Sequence, residues 1–151
     1  MVKYLWHSED VPDNMKITQV SGILLDDENQ VLLYEEKEGE YRIPGGHPLA
    51  NESIAGTLIR ECLEEVNTEI GDIKYLGFQE VVGDEIDSYA QVRMIAKIKK
   101  VGTLRPDVDS GMTYKRLFVK IEDVNKYLKW DSVGENMMNN VKDILGIYDD
   151  K

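Results

Sequence analysis

Residues 46–68, reading GHPLANESIAGTLIRECLEEVNT, constrain this chain more than any other stretch, because four Glu and one Arg are crowded into one short helix and the turn before it. On a helix, residues three and four apart share a face. With Arg60 at zero and about 100° per residue, Glu64 falls at about 40°, Glu61 at about 100° and Glu65 at about 140°. Three carboxylates therefore point one way. Ala55, Leu58, Ile59, Cys62 and Val66 fall between about 160° and 260° and form the opposite, core-facing stripe of an amphipathic helix. Like charges so close destabilise a helix on its own. A bound divalent cation reverses that penalty, and hard cations such as Mg²⁺ or Mn²⁺ prefer an all-oxygen ligand set.

The spacing of Gly46, Glu52 and the run Arg60-Glu61-Cys62-Leu63-Glu64-Glu65 resembles the Nudix box, the signature of the Nudix hydrolases, and Arg42-Ile43-Pro44-Gly45 is similar to that family's lead-in. Six of the seven fixed positions match. Asn67 stands where the family has Gly, and Thr68 where it has an aliphatic residue. Asn is the next best residue for a helix end at positive φ, and Cys62, at an aliphatic position, behaves as a small buried hydrophobe.

The chain has 151 residues, a length expected to form a single domain over 1–151 that buries about two thirds of its unfolded surface. One cysteine excludes an internal disulfide. No N-terminal apolar run resembles a signal peptide, and no stretch approaches the roughly 18 apolar residues of a membrane span. A cytoplasmic protein is expected. The formal net charge of -11 argues against partners that need a basic footprint, namely polymeric nucleic acid or an anionic membrane. A small phosphorylated substrate is compatible with this charge if metal ions bridge it to the carboxylates.

Along the chain, residues 1–15 show little periodicity and read as a lead-in with a solvated His7. Residues 17–25 and 30–35 read as a hairpin about the turn at 26–29, and 41–43 as a short strand. Pro44-Gly45-Gly46 then sets a kink and two residues without Cβ just before the acidic helix, where backbone can approach a ligand closely. Asn51 is the expected N-cap, with Glu52 in the first turn. Residues 73–82 and 88–98 read as an antiparallel pair, 104–112 as a polar loop, 113–119 as a strand and 122–128 as a short helix. Ser132, with Glu135 three residues on, opens the last helix as a capping box. Val133, Met137, Val141, Ile144 and Leu145 form its apolar face and Gly146 its stop. Helices on either side of mixed strands suggest an α/β architecture, and the Nudix resemblance implies the same α/β/α sandwich.

The resemblance also implies a reaction: hydrolysis of a nucleoside diphosphate linked to another moiety, with Mg²⁺ or Mn²⁺ as cofactor. On that reading Glu61, Glu64 and Glu65 match the metal-ligand glutamates, and the carbonyl of Gly45 a frequent additional ligand. Arg60 matches the arginine that orients these carboxylates, and Glu52 a supporting glutamate. The general base is either Glu61 or a carboxylate outside the box, for which Asp107 and Asp109 in the polar loop are the candidates. Arg42, Gly46 and His47 are candidates for contact with the substrate phosphates; a surface ion pair for Arg42 and a half-exposed loop position for His47 are the alternatives. Nucleoside triphosphates or damaged nucleotides rank first by chain size. The proline that marks the ADP-ribose subgroup about fifteen residues past the box is replaced by Gly83-Asp84. ADP-ribose, dinucleoside polyphosphates, nucleotide sugars and a catalytically idle, nucleotide-sensing domain remain open.

Overall fold

A computed structural model describes residues 1–147. Alternation in the second strand, β2 (Lys16–Leu25), explains the layering. Val20 and Leu24 turn to one core, while Ile23 and Leu25 turn to another, because successive side chains leave opposite faces of a strand. The next strand, β3 (Gln30–Lys37), repeats the pattern, with Leu32 and Tyr34 on the first face and Val31 and Leu33 on the second. Both faces must therefore be covered. The acidic helix α1 (Ile54–Val66) covers the first with Leu58, Cys62 and Val66. The short α2 (Val124–Leu128) and the C-terminal α3 (Asp131–Leu145) cover the second with Val124, Leu128, Met137, Met138 and Val141.

Between them lies one sheet whose remaining strands are β1 (Lys3–His7), β4 (Glu40–Arg42), β5 (Gly45–Gly46), β6 (Thr68–Val82), β7 (Tyr89–Val101) and β8 (Lys115–Lys120), in the order β1-β6-β7-β2-β3-β4 with β5 on β2 and β8 on β3. The β2–β7 pair is parallel and the other pairs are antiparallel. This is the mixed-sheet α/β/α sandwich expected from the sequence. The β2–β3 ladder is registered at Leu25↔Val31. Beyond that point β2 pairs with β5 and β3 with β8 and β4, so the sheet splays beside Gly45.

Four local expectations are corrected. The N-terminal lead-in contains β1, which pairs with β6 from Lys3↔Val82 to His7↔Phe78. An exposed edge strand held by backbone bonds carries no alternation to read. His7 is not merely solvated: its Nε2 is 2.8 Å from Glu80 and its ring stacks on Phe78. The cap of α1 is Ser53, whose Oγ accepts from Gly56 N at 3.0 Å, while Asn51 sits at φ 63° in the turn before it. The last helix opens at Asp131 from Trp130, without a side-chain cap, which leaves Ser132 inside it. Gly146 ends that helix at φ 70°, as expected.

Candidate active site

The turn before α1 and the face of α1 are tied together by Arg60. Its Nε and Nη2 bind Glu52 at 2.8 and 3.0 Å, Nη1 reaches Glu61 at 2.8 Å and Glu64 at 3.2 Å, and Nη2 also donates to the His47 carbonyl at 3.1 Å. A planar guanidinium can serve all these acceptors at once, which an ammonium cannot. Glu52 is saturated in turn, accepting from Leu49 N at 3.0 Å and Thr57 Oγ1 at 2.7 Å. It lies ahead of the helix rather than in its first turn and acts as the anchor for Arg60.

Hydrogen bonding to Arg60, then to Leu49 and Thr57, holds the Glu52 carboxyl at about 2, below its ordinary 4.5. The folded value lies below the unfolded one, so between about 4.5 and about 2 the unfolded chain binds more protons and stability rises with pH. The thermal midpoint of the protein should accordingly fall as pH is lowered through that window, and Glu52→Gln should flatten the fall. Unfolding scans at half-unit pH steps check this; an unaltered slope in the variant refutes the anchoring role.

Glu61 and Glu65 lie deeper. Gly46 sits against the Glu61 carboxyl so closely that a Cβ there would stand 2.4 Å from it. This explains why Glu61, on the polar side of the helix wheel, is buried, whereas Ile59, on the expected core stripe, is 42% exposed. Burial pushes the Glu61 carboxyl up, opposed by Arg60. Burial likewise raises Glu65 to about 8, although it accepts from Gly45 N at 2.8 Å and from Tyr34 Oη at 3.0 Å. The Asp107 charge raises both.

Asp107 is the loop carboxylate whose charge is felt by the acidic helix. It is buried, and its Oδ2 accepts from the backbone of Asp109 and Ser110. Asp109 is exposed and supplies only its backbone to this turn. The loop is anchored to the end of α1: Asn67, at φ 44°, donates from Nδ2 to Thr103 O at 2.7 Å and accepts from Gly102 N at 2.8 Å. The His47 ring turns away, donating from Nδ1 to Thr18 O at 2.7 Å. Arg42 is exposed and pairs with Glu36.

Among the described residues no group of three or more His, Cys, Asp or Glu side chains is arranged to hold a metal ion. The reason is visible in the bonding, since Arg60 engages Glu61 and Glu64 while Gly45 and Tyr34 engage Glu65. The donor chemistry nevertheless fits a hard divalent cation. Glu61, Glu64, Glu65 and the Gly45 carbonyl offer oxygen alone, and Gly46 keeps the Glu61 carboxyl free of a covering Cβ.

Beside Gly45 and Tyr34 opens a cavity of about 470 Å³ on the α3 side of the sheet. Its floor is made by Gln19 and Ser21 of β2, Gln79 of β6, and Gln91 and Arg93 of β7, with Trp130 above. None of these residues stood out on motif grounds. The signal was present as polar residues at two-residue spacing inside otherwise apolar strands, Gln19/Ser21 and Gln91/Arg93. The register pairs them, Gln19↔Gln91 and Ser21↔Arg93.

A family model described as the NUDIX domain matches residues 15–141. A search of curated protein sequences finds no match. Among solved structures, the chain is similar to the Bacillus subtilis pyrophosphohydrolase BsRppH, at 22% identity and TM-score 0.76 over 96% of this chain and 93% of that one. It is also similar to a MutT from a study of Aliivibrio salmonicida and Vibrio cholerae, at 19% identity and TM-score 0.59 over 80% and 94%, and to the C. elegans Ap4A hydrolase, at 17% identity and TM-score 0.61 over 86% and 98%. The matched family span contains α1, its glycine lead-in and the strands β2 to β8 that support them, and the chain belongs to the Nudix hydrolase family.

Proposed function

We propose that this chain hydrolyses a pyrophosphate bond in a nucleoside diphosphate linked to another moiety, with Mg²⁺ or Mn²⁺, and that nucleoside triphosphates or damaged nucleotides are its principal substrates. The observation that carries the reading is the Arg60 network: one guanidinium orders Glu52, Glu61 and Glu64 on the wall that carries Glu65, next to a cavity large enough for part of a nucleotide. Glu61, Glu64, Glu65 and the Gly45 carbonyl would hold the metal. When bound, it would neutralise phosphate charge and lower the pKa of a water molecule.

The chain's own residues do the rest by positioning and electrostatics. Glu52 fixes Arg60, and Arg60 fixes the orientation of Glu61 and Glu64. Glu61 and Asp107 are our two candidates to accept a proton from the attacking water. Both lie in reduced contact with solvent, and each disfavours ionisation of its neighbours. The pyrophosphohydrolase, MutT and Ap4A hydrolase likenesses support this class of reaction, and residues 1–151 are taken as one such domain.

Phosphate release across dNTPs, oxidised dNTPs, ADP-ribose, dinucleoside polyphosphates and nucleotide sugars tests the proposal. Turnover is expected with Mg²⁺ or Mn²⁺ and should vanish in EDTA, with triphosphates the best group. Nucleotide binding without turnover of any compound would establish the sensor alternative, against which the complete set Glu61, Glu64 and Glu65 argues.

A further inference from the structure

Arg93 is the most deeply buried charge in the described chain, 3% exposed on β7 at the floor of the cavity. Its Nη1 donates to Gln19 Oε1 and Ser21 Oγ, both at 2.9 Å, and its guanidinium lies 5.1 Å from the Trp130 ring centre. Those partners are neutral. Among the described residues no carboxylate pairs with Arg93, its Nε makes no hydrogen bond, and Nη2 has only a long 3.5 Å contact to Gln91. Burying a cation without a counter-ion costs several kcal/mol. Burial lowers Arg93 only to about 10, so it keeps its charge at neutral pH.

The surroundings call for an anion. In a chain of net charge -11, the cavity is lined by Arg93 and Lys129 against one acid, Asp131, and by Arg42, which pairs with Glu36. Ser21, which fixes the guanidinium, is the register partner of Gly45, and Gly45 N bonds Glu65. Gly45, which lines the cavity, is thus the backbone link between the acidic helix and the strand that carries Ser21. Gln79 Nε2 donates to Gln91 Oε1 at 2.6 Å, which ties two of the floor amides to each other. One face of Trp130 is already covered by Arg93.

We propose that Arg93 is a phosphate receptor, its Nε and Nη2 edge taking two non-bridging oxygens of a substrate phosphoryl group from inside the cavity. A guanidinium fork matches such an oxygen pair in a way a point charge does not. The assignment rests on the nucleotide-hydrolase reading for the source of the phosphoryl group, and its test needs neither metal nor turnover.

The sequence holds two tryptophans, so Trp6→Phe leaves Trp130 as the sole reporter. In EDTA, inorganic pyrophosphate should change Trp130 emission saturably. Arg93→Gln should weaken that binding about tenfold or more, and Arg93→Lys should weaken it less. Guanosine and adenosine should give no Arg93-dependent change. Equal pyrophosphate binding by wild type and Arg93→Gln, the absence of any saturable change in Trp130 emission, or nucleoside binding in place of pyrophosphate would each overturn the proposal. If the Arg93 variants do not fold, Lys129→Gln in the Trp6→Phe protein decides: the pyrophosphate response should persist, and its loss would overturn the proposal. Pyrophosphate binding through Arg93 in a protein that turns over no nucleotide would refute the hydrolase reading and leave the receptor standing; turnover with Arg93-independent pyrophosphate binding would do the reverse.

Discussion

Glu64→Gln is expected to lower kcat on the best nucleotide substrate by about 10³-fold, on the scale of removing one preorganised charge-stabilising group from an active site. The fold should barely respond. Glu64 makes one hydrogen bond, at 3.2 Å from Arg60 Nη1, and its side chain is 23% exposed. A glutamine oxygen accepts the same bond, and the change in stability should stay within about 0.5 kcal/mol. What the substitution removes is one negative charge on the acidic face, the feature a divalent cation requires. Steady-state kinetics alongside a thermal melt measure both quantities. A variant with undiminished kcat would remove Glu64 from the active site and undermine the metal-dependent reading of the helix.

Gly46→Ala and Gly45→Ala should fail in different ways, although the two glycines are neighbours. A Cβ on Gly46 would stand 2.4 Å from the Glu61 carboxyl, the far end of a side chain that can move. The protein should therefore fold while Glu61 is displaced, and a misplacement of about 1 Å at a reacting centre costs on the order of 10²-fold in rate. A Cβ on Gly45 would meet the Val20 carbonyl at 2.3 Å and Ser21 Cα at 2.4 Å, which is backbone of β2 and cannot step aside. The β5–β2 pairing would have to open, destabilising the protein by about 1–3 kcal/mol, as overpacking does. Denaturant melts and kcat for both variants separate the cases. A Gly46→Ala enzyme as active as wild type would show that the Glu61 position is not critical.

The acidic helix was legible because its chemistry is local: the spacing of Arg60, Glu61, Glu64 and Glu65 is a property of one helix, and Asn67 ends it as its side chain predicts. What the sequence hid depends on neighbours. Ile59 and Glu61 exchange their expected environments because the β5 backbone comes over the helix flank, and a helical wheel knows nothing of that strand. Ser53 rather than Asn51 caps α1, because the turn before the helix holds Asn51 at positive φ and brings the Ser53 hydroxyl to Gly56 N. β1 is held by the edge of β6 and has no pattern of its own. Arg93 and the glutamines read as interruptions in apolar strands until the parallel β2–β7 register set them side by side. Asp107 was one of two equivalent loop acids, and only the folding of residues 107–112 buries one and exposes the other.

The two ends of α1 act as a ruler. Ser53 closes one end with its hydroxyl, and Asn67 closes the other while its amide grips Thr103. The thirteen residues between them therefore have no slack. One residue inserted into that interval would turn everything beyond it by about 100°, carrying the carboxylates off the β5 backbone and the aliphatic stripe off the sheet. Length variation in descendants of this sequence should consequently collect outside the two stops, in the 83–88 turn and the 108–111 tip, and spare the interval that keeps the acids in phase.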